Sequence, residues 1–290
     1  MSVLAEGRAE APGAATIINA MATGRGAAFA IDLKVEATVI VDRSGRFKAR
    51  IEGDATEDTR LVELCARKVL ETAGQGYGAR VHTTSNLPIA KGLSSSSAAS
   101  NATVLAAASC LEKLGYDVPG PEELINIGID ASLEVGVTVT GAFDDASASF
   151  YGGAVVTDNV GRRILRRQSL PETGVAVLVP PEKSYSGMID TSTMKLLARQ
   201  VSIAHREALT GNMMDAMTLN GLIYCAALGY DPTPAIEALR AGAAAAGLTG
   251  KGPAFVAVCD DVESVRRTWT KFEGRVILTR TNNAGSKVLG

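Results

Sequence analysis

The stretch from residue 87 to residue 115, LPIAKGLSSSSAASNATVLAAASCLEKLG, contains four consecutive serines after a glycine and no charge between Lys91 and Glu112. An uncharged run of about 20 residues is long enough to cross a bilayer. Its serines and Asn101 would be costly in lipid, and flanking anchors are missing, so we do not expect a membrane span. Two interpretations remain: a core helix with a serine cap, and a loop that binds an anion.

The residues around this stretch predict a strand, a glycine turn and a helix in succession. YGARVHTTSN (77–86) reads as a strand, and the small residues from Ser95 onward predict a tightly packed helix that ends at Gly115. The first N–H groups of a helix lack backbone partners, and the helix dipole adds partial positive charge, so such a junction can hold a phosphate. Gly92 permits the tight turn, Lys91 adds a cation, and serine hydroxyls add donors and a candidate Mg²⁺ ligand.

The composition is that of an ordinary soluble globular protein. Of its 290 residues 46% are hydrophobic and 21% are charged, and the net charge is −2. Nucleic-acid binding needs a clustered basic surface, and the one short basic run, GRRILRR at 161–167, alternates with apolar residues as a half-exposed strand would. We therefore do not expect nucleic acid as a partner.

The cysteines and the N-terminal stretch both favour a cytoplasmic protein. Cys65, Cys110, Cys225 and Cys259 are far apart, and no C-x-x-C pair is present, so we expect buried free thiols rather than a zinc site or disulfides. The N-terminal residues MSVLAEGRAEAPG place acidic side chains where a signal peptide needs a basic and then an apolar stretch.

The pattern along the chain is α+β. Residues 27–52 alternate apolar and polar on either side of DRSG, which predicts a hairpin, and the spacing in 57–74 and 121–135 predicts helices. Strands are grouped early, helical segments dominate from about 189 to 246, and a strand–helix–strand unit ends the chain. We place a domain boundary near residue 165, which divides the chain into 1–165 and 166–290.

Several nucleotide and hydrolase motifs are missing. The sequence has no G-x-x-x-x-G-K-[ST], because Gly252 follows the lysine of GLTGKGP, and no G-x-G-x-x-G opens a helix. GLSSSS is not the G-x-S-x-G of a nucleophile elbow. We therefore expect the two histidines, His82 and His205, to be structural or on the surface.

Four segments together resemble one family. PIAKGLSSSSAAS (88–100) resembles the nucleotide-binding motif of the GHMP small-molecule kinases. The other segments resemble the family's substrate-side motif, catalytic-aspartate segment and C-terminal glycine motif; they are APG (11–13) with GAAFAIDL (26–33), TGAFDDASASFYGG (140–153) and GLTGKGPAFVAV (247–258). The matches come in family order over nearly the whole chain, so the chain is identified as a member. Within the family, the quoted segments are most similar to those of the archaeal shikimate kinases.

The resemblance implies a two-domain α+β fold without a P-loop, with an N-terminal ATP-binding domain (1–165) and a C-terminal α+β domain (166–290). It also implies Mg²⁺-dependent transfer of the ATP γ-phosphate to the 3-hydroxyl of shikimate, a small-molecule substrate on the route to aromatic amino acids. Homoserine, mevalonate or a sugar is the alternative acceptor, and a non-catalytic nucleotide or metabolite sensor of the same fold is the alternative function. The oligomeric state stays open.

The resemblance also assigns roles to residues. An aspartate of the family accepts the substrate's proton; Asp144 or Asp145 supplies it, and we favour Asp144. Lys91 is the candidate cation for this repelling pair because of its position in the loop. Ala14 stands where many members carry a lysine or arginine, so any role of that cation is unfilled. The implied metal ligands are one serine of 95–97, taken as Ser96, and Glu134.

The nucleotide and substrate sites are predicted from the same motifs. The nucleotide-binding residues are Pro88, Ile89, Ala90, Lys91, Gly92, Leu93, Ser94, Ser95, Ser96, Ser97, Ala98, Gly250 and Gly252. Shikimate is an anion with several hydroxyls, so its site needs a cation and polar partners. The candidates, which are polar groups in loops or at strand ends, are Thr16, Asn19, Arg25, Asp144, Lys183 and Arg280.

Overall fold

The computed structural model describes residues 2–52, 58–89, 91–138, 140–181 and 192–290. Two predicted site residues, Ala90 and Lys183, lie outside the described residues. The described part of the chain forms one seven-stranded and one four-stranded sheet with helices packed against both. The predicted α+β class is therefore confirmed.

The seven-stranded sheet is built around two long strands. Its members are β1 (Ala5–Ile18), β2 (Arg25–Asp42), β3 (Phe47–Ile51), β4 (Gly78–Ser85), β5 (Ala154–Asp158), β6 (Arg163–Gln168) and β11 (Lys287–Leu289). The main order is β11-β1-β2-β4-β3, and β5 pairs with β2 and with β6. β1 and β2 pair as antiparallel strands along almost their full length, and the helices α2 (Ser95–Lys113) and α4 (Phe143–Tyr151) that carry site residues pack against both.

The hairpin predicted for residues 27–52 is wrong in its pairing. β4 lies between β2 and β3, antiparallel to β2 and parallel to β3. A parallel pair needs a crossover, and α1 (Arg60–Glu71) provides it between β3 and β4. The apolar face of α1 is buried in this arrangement, which a direct β2–β3 hairpin would not require.

α2 (Ser95–Lys113) is the central helix of this half. It packs against β1 and β2, and its small side chains allow a close approach: a Cβ atom on Gly7 would lie 2.1 Å from the Ala106 carbonyl oxygen. α3 (Pro121–Glu134) and α4 (Phe143–Tyr151) pack against α2. Asn101 of α2 donates a 2.9 Å hydrogen bond to the Ala146 carbonyl, which holds α4 in place.

The second sheet has the order β10-β7-β9-β8, with every pair antiparallel. Its strands are β7 (Gly174–Val179), β8 (Ala245–Leu248), β9 (Phe255–Cys259) and β10 (Arg275–Arg280). Its helices are α5 (Ser192–Leu196), α6 (Ala198–Thr210), α7 (Met213–Leu228), α8 (Thr233–Arg240) and α9 (Val262–Trp269). The predicted helical region and the terminal strand–helix–strand unit are confirmed.

The two sheets are joined by elements from both halves of the chain. β11 pairs with β1, and α7 packs against both β1 and β8. The α7–β8 contact is close because both partners are glycines: a Cβ atom on Gly221 would lie 2.4 Å from the Gly247 Cα atom. Residue 165 falls within β6, and the division into 1–165 and 166–290 stays a prediction.

The thiols follow the sequence prediction. Cys65, Cys110, Cys225 and Cys259 are all free and buried. Within the described ranges, no helix is both long enough and apolar enough to cross a bilayer.

Candidate active site

A cleft of about 520 Å³ opens over the N-terminus of α2. Apolar side chains from β3, α1 and α2, among them Ile51, Leu61 and Ala99, line one part of it. Polar groups from β1, the residues before α2, α4 and the loop after β8 line the other part. β1 and β3 are three strand spacings apart in the sheet, about 14 Å, so the two parts of the lining lie at opposite ends of the cleft. The end at β3 and α1 is called the apolar end here and the other the polar end; the apolar end also carries the ion pair of Asp58 and Arg60.

The serine loop, residues 91–97, contributes part of the lining of the cleft. Gly92 has a φ of +79° and the N-cap Ser94 a φ of +58°, so the chain turns sharply before α2 begins at Ser95. Ser94, Ser95 and Ser96 line the cleft. The exposed N–H groups of the first helical turn lie at the same place, which gives the loop the geometry of an anion site.

The predicted nucleotide-binding residues divide into two groups. Those that line the cleft are Ile89, Gly92, Ser94, Ser95, Ser96, Gly250 and Gly252. Leu93, Ser97 and Ala98 are buried, and Pro88 lines a separate open cavity beside the two sheets. The structure does not bring the side chains of the second group to the cleft.

The glycine loop, residues 249–252, lies directly against the serine loop. Thr249 Oγ1 donates 2.8 Å to the Gly92 carbonyl, and a Cβ atom on Gly92 would lie 2.3 Å from the Thr249 carbonyl oxygen. Gly250 N donates 2.8 Å to Thr16 Oγ1, and Asn19 Nδ2 donates 2.7 Å to the Gly250 carbonyl. Thr16 and Asn19, predicted to bind substrate, line the cleft and also anchor this loop.

Asp144 lies at the polar end, in the first turn of α4. It is 5% exposed, and its Oδ1 atom accepts a 2.8 Å hydrogen bond from Asn159 Nδ2. Gly26 of β2 makes room for the carboxyl, since a Cβ atom there would lie 2.3 Å from Asp144 Oδ2. Burial raises the pKa of Asp144, and the hydrogen bonds from Asn159 and from backbone N–H groups act against that rise.

Asp145 faces the serine loop and the glycine loop. Burial and then repulsion from Asp144 raise the pKa of Asp145 well above its usual range, while hydrogen bonding with Ser94 and attraction to Lys251 act in the opposite direction. Its Oδ1 atom is fully buried and accepts no hydrogen bond from the described residues. Both aspartates line the cleft, but they have different neighbours.

The structure places Lys91 outside the lining of the cleft, and its role as the cation of the acidic pair stays a prediction. Its ammonium donates 2.6 Å to the Pro180 carbonyl and 2.9 Å to the Pro181 carbonyl, and the side chain is not among those that line the cleft. Lys91 is 8% exposed, and these carbonyls replace the water that the buried charge has lost. It therefore ties the serine loop to the residues that follow β7. Among the described residues that line the cleft, Lys251 is the cation near the acidic pair.

Three further predicted residues lie away from the cleft. Glu134 pairs with Lys68 at 2.9 Å, and its side chain is 58% exposed. Arg280 is also exposed and pairs with Asp32 at 3.2 Å. Arg25 is exposed at the start of β2. None of the three lines the cleft, so the structure does not bring these charges together with Ser96 or Asp144.

The sequence analysis missed Asn159, Thr157 and Lys251. Lys251 stood inside the quoted glycine motif, where a lysine between two glycines is itself a signal of a ligand contact. Asn159 lies in the turn after β5 and Thr157 within that strand, and both read as ordinary turn or strand residues. Only the pairing of β5 with β2 brings them beneath α4.

Comparison with known proteins agrees with this geometry. The model of the GHMP kinases N-terminal domain matches residues 60–153, and the model of the GHMP kinases C-terminal domain matches residues 197–274. Together they cover more than half of the chain. The first match contains the serine loop and both aspartates, and the second contains the glycine loop.

Curated relatives match over almost the full length. The shikimate kinase of Methanothermobacter thermautotrophicus is 50% identical over 281 residues, which are 96% of each chain. The shikimate kinase of Methanobrevibacter smithii is 44% identical over 285 residues, 96% of this chain and 98% of its own.

Solved structures share the fold at much lower identity. Mevalonate kinase from Methanococcus jannaschii has a TM-score of 0.75 at 16% identity and covers 94% of this chain and 98% of its own. MDDEF in complex with MVAPP, AMPPCP and magnesium has a TM-score of 0.71 at 16% identity and covers 98% of this chain and 99% of its own. With two family models and full-length relatives in agreement, the chain belongs to the GHMP kinase family, among its archaeal shikimate kinases.

Proposed function

We propose that this protein transfers the γ-phosphate of ATP to the 3-hydroxyl group of shikimate. Its full-length relatives named shikimate kinase support the acceptor. One structural observation carries the chemistry: the start of α2, the glycine loop and the acidic pair line the same cleft. Phosphoryl transfer needs positioned donors for the phosphates and a carboxylate near the acceptor hydroxyl, and this cleft supplies both.

The two ends of the cleft suit the two substrates. The adenine base occupies the apolar end, against Ile51, Leu61 and Val62, because a flat aromatic ring gains most from apolar walls. The triphosphate then runs along the start of α2, where N–H groups and serine hydroxyls meet its charge. Shikimate occupies the polar end, beside Asn19, Thr140 and Asp144.

The residues at the start of α2 also fit Mg²⁺. The described residues contain no cluster of three or more His, Cys, Asp or Glu side chains that could hold a metal by itself. Mg²⁺ characteristically takes only one or two protein oxygens and the rest from phosphates and water. Ser96 and the unsatisfied Oδ1 atom of Asp145 are the oxygens that would hold it. Bound there, Mg²⁺ would neutralise phosphate charge.

Asp144 is the general base of the proposed reaction. The 3-hydroxyl oxygen forms a bond to the γ-phosphorus as the bond from that phosphorus to the β–γ bridging oxygen breaks. The electron pair of the broken bond stays with ADP, and the hydroxyl proton passes to an Asp144 oxygen. A carboxyl with a raised pKa is a better proton acceptor than an ordinary aspartate, provided it is ionised at the working pH.

Measurement of ADP release tests this function. Purified protein with ATP and Mg²⁺ is given shikimate, homoserine, mevalonate or galactose in separate reactions. We expect strong release with shikimate and a loss of about 10²–10⁴-fold in kcat for Asp144→Asn, with ATP binding retained. Turnover with homoserine, mevalonate or galactose but not with shikimate contradicts the acceptor. Binding of ATP without turnover on any of the four contradicts the kinase assignment.

A further inference from the structure

The glycine loop holds a lysine over the start of α2. Lys251 is partly buried and lines the cleft together with Asp145 and the serine loop. The glycines on either side have positive φ angles, +58° at Gly250 and +74° at Gly252, so the loop makes a tight turn that leaves the lysine at its tip.

The backbone beneath this lysine is fixed. The Gly250 N–H donates to Thr16 Oγ1, and the Gly250 carbonyl accepts from Asn19 Nδ2. Thr249 Oγ1 donates to the Gly92 carbonyl. Such bonds to a neighbouring strand and to the serine loop restrict the loop far more than its own turn does. The position of Lys251 is therefore set relative to the start of α2 rather than left to a surface loop.

Lys251 lies near the acidic pair on the lining of the cleft. Asp145 attracts it, and Asp144 is the next residue of the same helix turn. Asp58 and Arg60 also line the cleft, and these two pair with one another. Among the described residues that line the cleft, Lys251 is thus the cation that faces the acidic pair.

We infer that Lys251 is a catalytic residue whose ammonium contacts the phosphoryl group during its transfer, and that Asp145 is a positioning residue that directs this ammonium. The inference rests on the proposed kinase reaction and divides the acidic pair. Asp144 takes the hydroxyl proton, and Asp145 orients Lys251 while its unsatisfied Oδ1 atom stays available to Mg²⁺. As the acceptor oxygen bonds to the γ-phosphorus and the bridging oxygen leaves with its electron pair, negative charge builds on the phosphoryl oxygens. A fixed cation stabilises that charge more than it stabilises bound ATP.

Burial supports this role. It lowers the pKa of Lys251, because a desolvated ammonium loses hydration, and Asp145 partly reverses the change. A lysine that is held in place without its full hydration shell is preorganised for a phosphoryl anion.

Replacement of Lys251 tests the inference. Lys251→Met keeps the length of the side chain and removes the charge; we expect kcat to fall by about 10²-fold or more. Lys251→Arg keeps the charge, so we expect it to recover part of the activity. Lys271→Met, at an exposed ion pair with Glu237, is the matched control. A Lys251→Met enzyme with kcat within about threefold of the wild type overturns the inference.

A binding measurement separates this inference from the choice of acceptor. ADP with aluminium fluoride imitates the transferring phosphoryl group, and its affinity can be measured by calorimetry without an acceptor. We expect Lys251→Met to weaken this complex at least tenfold more than it weakens ATP binding. Equal weakening of both overturns the catalytic role. If shikimate is not the acceptor, this measurement still decides the role of Lys251, and thermal unfolding shows whether the variant is folded.

Discussion

Asn159 Nδ2 donates a hydrogen bond of 2.8 Å to Asp144 Oδ1, and Thr157 Oγ1 donates one of 2.6 Å to Asn159 Oδ1. The second bond fixes the amide orientation: since its oxygen accepts from Thr157, its NH₂ group must face the carboxylate. All three side chains are buried. The chain of bonds holds Asp144 in one orientation and opposes the increase in pKa that burial causes.

Asn159→Leu removes the donor to Asp144. We expect the pKa of Asp144 to rise further, because burial remains and one opposing hydrogen bond is lost. A general base works only when ionised, so the acidic limb of the kcat/KM–pH profile should move to higher pH. Thr157→Ser keeps the supporting hydroxyl and should keep the wild-type limb. An unmoved limb in Asn159→Leu means that this amide does not tune the base.

Gly92→Ala tests the contact between the two loops. Both strain and a clash are expected, since Gly92 has a positive φ and the new Cβ atom would lie 2.3 Å from the Thr249 carbonyl oxygen. We expect turnover to fall on the order of 10²-fold as the loops separate. Gly115→Ala is the matched control, because Gly115 also has a positive φ but meets nothing within 4 Å. If both variants lose activity equally, backbone strain rather than the loop contact is responsible.

Lys91→Met tests whether this lysine is structural. Removal of its ammonium leaves the Pro180 and Pro181 carbonyls without their donor, so we expect the free energy of unfolding to fall by about 1–3 kcal/mol in urea titrations. The loss in kcat at saturating substrates should be much smaller than that of Lys251→Met. The reverse order of kcat losses restores Lys91 as the catalytic cation.

His205 makes stability depend on pH. Burial, and then Arg25, lower the pKa of His205 in the folded protein, and its Nε2 atom is buried without a hydrogen bond in the described structure. The unfolded chain takes up the proton first, below about pH 6.5, so the free energy of unfolding should decrease as the pH falls below that value. The slope should approach 1.4 kcal/mol per pH unit at most and should be smaller in His205→Gln. His82→Gln, which removes an exposed imidazole, is the control; an equal change of slope in both variants contradicts the role of burial.

The four thiols should be unreactive in the folded protein. Burial raises the pKa of Cys65, Cys110 and Cys225 to about 12 and that of Cys259 to about 11. The thiolate is the reactive form, so titration with a chromogenic disulfide at pH 8 should detect almost no fast thiol. Unfolding in guanidinium should release four. A fast-reacting thiol in the native protein contradicts this burial.

The local elements around the site could be predicted from sequence because their signals are local. The glycine and serines before α2, the helix up to Lys113 and the aspartates ahead of Gly152 each depend on residues close in the chain. The β2–β3 pairing failed for the opposite reason, since alternation predicts strands but not their neighbours. The contacts of Lys91 could not be predicted for a similar reason, because its partners lie about 90 residues away in the chain.

The sequence by itself determined the family, the α+β class and the serine loop, because motif spacing and the conformational needs of glycine and serine depend on short segments of the chain. Only the tertiary structure decided which charges share the cleft. Lys91 contacts the Pro180 and Pro181 carbonyls after β7, Lys251 lies near Asp145, and Asn159 bonds Asp144. The physical reason is that a buried charge or amide goes where its hydrogen bonds can be satisfied, and the partners that satisfy it come from strands and loops distant in sequence.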